Sequence, residues 1–275
     1  MLKQRIITAS ILFTLLLVAV FSLPALGWSA LVAVMIWQGA VEWARLSNMA
    51  GRVATFYCAV TLLLMVAMFW FDASVAIERV QLHHLFWYFV SVVLWVLVVP
   101  AWMIASWRPQ NRWLMGLVGW AVILPTGLAM IDLRNVSPWL LLGAMSVVWV
   151  ADIAAYFSGK RFGKNKLAPS ISPGKTWEGV FGALIVVTFY VLAVGWGSGL
   201  FKMYPVFPGI IIASWWWVGL AVIGDLFESA VKRQAGVKDS GALLPGHGGL
   251  LDRIDALTST LPFAALALVF EQMSR

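Results

Sequence analysis

Residues 113–131 read WLMGLVGWAVILPTGLAMI, a run of 19 residues with no charged side chain. A helix needs about 20 apolar residues to cross a hydrocarbon core of about 30 Å, and this run meets that length. It is also continuously apolar and too long for a barrel strand, so the α-helix is its spanning form. Working outward, comparable runs recur at roughly Ile6 to Leu23, Leu26 to Trp43, Val53 to Phe71, Leu85 to Ala105, Trp139 to Phe157, Gly179 to Trp196, Phe207 to Leu226 and Ile254 to Phe270. Together they predict an all-α, polytopic integral membrane protein with about nine transmembrane helices.

Composition and charge agree with lipid as the solvent. Hydrophobic residues make up 62% of the 275 positions and charged residues 11%, whereas soluble domains carry about a quarter charged residues. In a soluble chain the net charge of +7 would raise nucleic acid as a partner. Beside membrane spans, basic residues instead favour the anionic cytoplasmic leaflet, and no nucleic acid is expected. With the N-terminus cytoplasmic, 15 of the 19 Lys and Arg fall in inside loops, and only Arg79, Arg134, Lys202 and Arg275 fall outside. That asymmetry supports the orientation, and an odd number of spans puts the C-terminus outside.

The basic start and Ala25-Leu26-Gly27 resemble a cleavable signal, but the run is long and further spans follow at once, so it is read as a span. Trp28, Trp43, Trp107, Trp113, Trp139 and Trp196 fall near span ends and are expected to anchor at the interfaces. Cys58 is the sole cysteine, which excludes an internal disulfide and a Cys-based zinc site. With no repeat or linker, residues 1–150 are read as scaffold helices for lipid access and oligomer contacts, and 151–275 as a catalytic membrane region.

Two inside loops stand apart because they are long, rich in Gly and charge, and preceded by a span carrying an acid. The first, 159–178, reads GKRFGKNKLAPSISPGKTWE; the second, 229–255, reads SAVKRQAGVKDSGALLPGHGGLLDRID. Asp152 and Asp225 lie within the preceding spans, where a carboxylate is costly and therefore a functional candidate; a structural ion pair is the alternative for Asp152. Asp225, Ser229 and Lys232 share one helix face with Arg233 beside it, and Asp252 and Asp255 share another at a helix start. Acids at a helix start also have a plain dipole explanation. Their density among Lys175, Lys232, Arg233, Lys238 and Arg253 suits the gripping of a polyphosphate through a divalent metal, since Mg²⁺ takes hard carboxylate oxygens. Gly246, Gly248 and Gly249 allow close backbone approach before a helix N-terminus, where free amides bind anions, although a turn explains Pro245-Gly246 as well. His247 is read as a loop-ordering or phosphate-contacting residue rather than a base.

In the second loop, Ser229, Lys232-Arg233, Lys238-Asp239, Gly241, Leu244-Pro245, His247-Gly248-Gly249, Asp252-Arg253 and Asp255 resemble the signature of the phosphatidate cytidylyltransferases (CDP-diacylglycerol synthases). The first loop is similar to the family's Ser-Pro-Lys-Lys-Thr and Glu-Gly, with Ser172-Pro173-Gly174-Lys175-Thr176 and Glu178-Gly179 in place; Gly174 stands where the family has a lysine, a contact then missing or supplied by Lys164 or Lys166. The N-terminal half resembles the family only in hydropathy and in local features such as Glu42-Trp43-Ala44-Arg45.

The resemblance implies a membrane enzyme, often a homodimer, of the bacterial inner membrane, with CTP and phosphatidic acid as substrates and a Mg²⁺-dependent site facing the cytoplasm. It maps the metal-binding aspartates onto Asp225 and Asp252 and implies a second, monovalent cation such as K⁺. Lys232 and Lys238 are then the catalytic cations. Asp152, Ser172, Lys175, Ser229, Arg233, Asp239, His247, Gly248, Gly249, Arg253 and Asp255 are then the substrate contacts. Two other readings stand beside it. A CTP-using lipid kinase would present the same membrane, metal and nucleotide; a secondary transporter is suggested by the intramembrane acids and by helix interruptions near Pro125 and Pro208. The Asp-Gly-x-x-Ala-Arg pattern of CDP-alcohol phosphotransferases is absent.

Overall fold

A computed structural model of the chain describes residues 2–74, 82–199, 207–243 and 248–274. Helices dominate: α1 (Leu2–Ser22), α2 (Ala25–Leu46), α3 (Arg52–Ser74), α4 (Leu82–Val93), α5 (Val99–Ile104), α6 (Arg112–Val136), α7 (Pro138–Phe162), α8 (Trp177–Gly197), α9 (Phe207–Gln234) and α10 (Leu251–Ser274). A hairpin of β1 (Lys166–Ala168) and β2 (Ser172–Thr176) interrupts them, antiparallel, with Lys166 opposite Thr176. Among the described residues, eight helical rods are long and apolar enough to cross a membrane, with α4 and α5 joined as one, His83–Ile104; the apolar part of α1 is the shorter Ile7–Ser22. This is an all-α membrane protein. Arg79, Lys202 and Arg275 lie outside the described residues.

Local chemistry sets the helix boundaries. Pro24 has no amide proton to donate and separates α1 from α2; Arg134 donates to the stranded carbonyls of Val20 (3.0 Å) and Leu23. Asn111 caps α6 by accepting from the amides of Trp113 (2.9 Å) and Leu114 (3.3 Å). Between α4 and α5, Leu94–Val98 winds as a π turn just ahead of Pro100, whose missing donor disturbs the i to i−4 ladder. Pro125 leaves no such break, and α6 continues through it to Val136.

The segment 113–131 is the centre of the bundle, α6 being the most enclosed of the spans. Its glycines explain why. A Cβ on Gly119 would lie 2.3 Å from Trp43 Cδ1, and one on Gly127 would lie 2.4 Å from Ile36 Cδ1. Small residues thus let α2 press directly onto α6, the usual device where no hydrophobic effect drives helices together. Backbone carbonyls exposed by that approach are used as acceptors: Trp43 Nε1 donates to Met115 O at 2.7 Å, Trp28 Nε1 to Met130 O at 3.2 Å, and the Tyr57 hydroxyl to Gly116 O at 3.2 Å.

This corrects the expectation for two tryptophans. Trp28 and Trp43 are each 1% exposed and bind neighbouring helices, while Trp139 and Trp196 are 73% and 83% exposed, as interfacial anchors should be. An indole near a span end serves either purpose, and the glycines of the partner helix decide which.

Contacts also show which helix ends lie together. Gln234 at the end of α9 donates to Pro109 O, 2.6 Å, just before α6 begins. Trp43 near the end of α2 reaches the start of α6. The ends of α2 and α9 and the starts of α6 and α10 therefore form one end of the bundle; His84 on α4 and Asp132 on α6, 2.7 Å apart, belong to the other.

Candidate active site

The two loops singled out from sequence converge at the first of these ends. From β2, Lys175 Nζ reaches Asp225 Oδ2 on α9 at 2.6 Å. The hairpin is placed by its own sequence: the Thr176 hydroxyl accepts from Gly179 N at 3.1 Å and caps α8, and Glu178 accepts from the Asn165 side chain at 2.8 Å. Arg233 Nε donates to Ile171 O at 3.5 Å, tying the hairpin to the end of α9.

The last turns of α9 carry a charged stripe. Ser229 Oγ donates to Asp225 Oδ1 at 3.3 Å. One turn further on, Lys232 Nζ lies 2.6 Å from Asp252 Oδ1 on α10 and 3.4 Å from Glu228 Oε2. Asp252 Oδ2 accepts from Ser240 N (2.8 Å) and Gly249 N (2.8 Å), with Ser240 Oγ 3.0 Å away. Gly248 has φ +80°, a left-handed conformation that glycine adopts without strain, and a Cβ there would sit 2.6 Å from Asp252 Oδ2.

Asp255 is set by helix packing. Gly224 lets α9 and α10 touch, a Cβ there lying 2.8 Å from Asp255 O, and Ser259 Oγ donates to Leu220 O at 2.8 Å. This brings Asp255 within electrostatic reach of Asp225, Glu228 and Asp152. Asp152, on an exposed face of α7, interacts in turn with Asp225 and Lys175.

Ser172 lies in β2 opposite Ala168. Lys238, Asp239, Arg233 and Arg253 are exposed around the cluster. His247, with Leu244, Pro245 and Gly246, lies outside the described residues.

Two acids were not anticipated as site residues. Glu228 is 5% exposed, with Lys232 Nζ 3.4 Å from its Oε2. Its signal was its spacing, three residues after Asp225 and four before Lys232, on the same face. Glu42 on α2 accepts from the amides of Leu250 and Leu251, from Ser240 Oγ and from Gln38 Nε2, each at 2.9 Å. The amides at the start of α10, expected from sequence to meet a bound anion, thus meet the protein's own carboxylates.

Five carboxylates (Asp152, Asp225, Glu228, Asp252 and Asp255) face two lysines (Lys175 and Lys232) in this cluster. The side chains gathered here offer carboxylate oxygens and no nitrogen or sulfur ligand, a set suited to a hard ion, with Glu228 buried beside Lys232. Among the described residues no three acids, histidines or cysteines converge as a closed cage.

Fold and site together define a polytopic membrane protein with a charged cluster at one end of its bundle. The chain belongs to the cytidylyltransferase family, which it matches over residues 3–270, and is by that membership a nucleotidyltransferase. It is 41% identical over 272 residues to the phosphatidate cytidylyltransferase of Pseudomonas aeruginosa, covering 97% of each chain. It is 35% identical over 281 residues to that of Haemophilus influenzae, covering 96% of this chain and 97% of the relative. The similarity read from the two loops therefore extends through the N-terminal half, where the sequence alone offered little beyond hydropathy.

Proposed function

We propose that this chain transfers CMP from CTP to phosphatidic acid, releasing pyrophosphate and leaving CDP-diacylglycerol in the bilayer as a step of phospholipid biosynthesis. The observation that carries this reading is the meeting of Lys175 with Asp225 and of Lys232 with Asp252, which unites both loops of the signature in one cluster. Two relatives named for this activity match the chain end to end.

A phosphate oxygen of the lipid attacks the α-phosphorus of CTP in line. The bond from that phosphorus to the oxygen bridging to the β-phosphate breaks, and pyrophosphate leaves with the electron pair. No protein base is needed, because a phosphate monoester with a second pKa of about 6 is already largely dianionic at neutral pH. The work left to the protein is positioning and charge neutralisation.

Lys175 and Lys232, each now held by a carboxylate, turn to the phosphates when substrate enters, and the exposed Arg233, Lys238 and Arg253 add positive charge at the rim. Asp225 and Asp252 are the residues that would hold Mg²⁺, which when bound neutralises the reacting phosphates and the leaving group. Lys232 frees Asp252 Oδ1 for that role as it moves. A monovalent ion such as K⁺ belongs to the same reading.

The placement follows from charge. The site end carries most of the basic residues, so it faces the cytoplasm of a bacterial inner membrane, where CTP is at hand while the lipid keeps its acyl chains in the bilayer. A homodimer is part of this proposal. Supplying purified protein with phosphatidic acid and CTP labelled in the base tests it. Label in the lipid fraction supports cytidylyl transfer, whereas label remaining in soluble CDP would mean a lipid kinase.

A further inference from the structure

We infer that Glu42 is a positioning residue for this site: a buried carboxylate from the scaffold that fixes the loop around Ser240 and Gly249 and so sets how Asp252 is presented. The inference rests on the proposed reaction for its kinetic consequence, but its geometric content stands independently.

Glu42 lies on the penultimate turn of α2, and its residue is 0% exposed. A buried charge is strongly unfavourable unless it is paired or fully hydrogen-bonded. Among the described residues no cation pairs with Glu42, and its compensation comes from four donors, two per oxygen. Oε1 accepts from Gln38 Nε2 and Leu250 N, and Oε2 accepts from Leu251 N and Ser240 Oγ, all at 2.9 Å. Leu250 and Leu251 are the entry to α10, so the carboxylate also meets the positive end of that helix. Glu42 thus caps a helix more than 200 positions away in sequence, the separations being 208 and 209 residues. Most helices are capped by a side chain just ahead of their first turn. Here the cap comes from another span, which couples two halves of the molecule at one point.

The loop is shaped to admit this carboxylate. A Cβ on Gly249 would fall 2.4 Å from Glu42 Oε2 and 2.2 Å from Ser240 Oγ, and one on Gly241 would fall 2.9 Å from Glu42 Oε1. Two of the glycines in the signature are therefore glycines because Glu42 is there. This observation is independent of the hydrogen bonds and points to the same residue.

The connection to Asp252 runs through a single hydroxyl. Ser240 Oγ is 2.9 Å from Glu42 Oε2 and 3.0 Å from Asp252 Oδ2. One hydroxyl has one proton and serves one carboxylate at a time. Asp252 Oδ2 already has the amides of Ser240 and Gly249, so the proton belongs with Glu42. If Glu42 loses its charge, the hydroxyl turns to Asp252, the start of α10 loosens, and the carboxylate that faces Lys232 changes both its hydrogen bonding and its aim.

The test uses full-length protein in detergent, with Glu42→Gln and, as a milder change, Ser240→Ala. Hydrogen–deuterium exchange resolves the amides of 249–252 against those of the α9 interior. Initial rates with CTP and phosphatidic acid give kcat and the KM for CTP. Glu42→Gln is expected to speed exchange at Leu250 and Leu251 with α9 unchanged, and to lower kcat by about 10–100-fold, the range seen when an outer partner of a catalytic ligand is lost. Its KM for CTP should shift less than its kcat. Ser240→Ala should lower kcat in the same direction, and the double variant should be less impaired than the product of the two, because both changes act on one contact.

Unchanged exchange at 250 and 251 in Glu42→Gln overturns the inference, as does a kcat loss that only tracks the fraction of folded protein. If Glu42→Gln does not fold, Ser240→Ala decides: folded protein with unaltered kcat and exchange overturns it. Failure of the proposed reaction would appear separately, as absence of cytidylyl transfer in the unsubstituted chain.

Discussion

Polar side chains gather at both ends of this bundle, and the two gatherings differ in kind. At the far end, Asp132 Oδ2 accepts from the Tyr88 hydroxyl at 2.6 Å and meets His84 Nδ1 at 2.7 Å. Tyr88 and His84 are buried, and one acid is satisfied by two neighbours on the adjoining helix. At the site end, five acids and two lysines gather from three helices and the hairpin, and exposed cations ring the cluster. A polar group that closes on itself joins helices in a setting where unsatisfied groups are costly. A group of several acids and cations drawn from three helices and a hairpin, with an exposed rim, has the makings of a binding site for a charged ligand. The number and openness of these charged groups, rather than the mere presence of buried polar residues, set this end apart from the other.

Substitutions at the two ends should sharpen that contrast. The largest effect is expected for Asp225→Asn and Asp252→Asn, which should reduce turnover by about 1000-fold or more, in keeping with loss of an electrostatic element of a transition state, while the protein still inserts and purifies. Rates at saturating Mg²⁺ check this, and a near-normal rate in either variant would remove the metal assignment. Lys175→Met should come next, with a loss of about 10–100-fold and a raised KM for CTP, because Asp225 then faces the nucleotide without its cation.

At the closed end the consequence should be mechanical. Asp132→Asn should destabilise the protein by about 1–3 kcal/mol, the usual penalty for disturbing a buried hydrogen bond, with kcat within about twofold of the parent since no charge near the substrate has changed. Thermal unfolding in detergent, run beside the rate assay, measures both; a large kcat loss there would break the comparison. The smallest effect is expected for Gly174→Lys. A Cβ at Gly174 meets nothing within 4 Å, so the lysine should be tolerated or mildly activating, and complete loss of activity would mean that the hairpin does not approach substrate as proposed.

Much of this was legible in the sequence because it depends on local pattern. Span length, the excess of basic residues in alternate loops, and the stripe of Asp225, Ser229 and Lys232 follow from spacing alone. What could not be read depends on partners far along the chain. Glu42 is one acid in an apolar run until α10 supplies the amides that explain it. Trp28 and Trp43 match interfacial anchors until α6 brings carbonyls and glycines against them. Asp252 was read as a candidate ligand, and the structure adds that Ser240 and Gly249 already hold one of its oxygens. Glu228 shares the spacing of the Asp225 and Lys232 stripe, but its burial beside Lys232 and Asp255 depends on α10.

On the proposed reading, an acid-rich cluster at the membrane surface receives CTP through a divalent ion and passes its cytidylyl group to a lipid phosphate. Base-labelled CTP, supplied with phosphatidic acid to the unsubstituted protein and to Asp225→Asn, with and without Mg²⁺, tests it most directly. Label should enter the lipid fraction only for the unsubstituted protein and only with Mg²⁺. Equal labelling by Asp225→Asn, or labelling that persists without any divalent ion, would contradict the account.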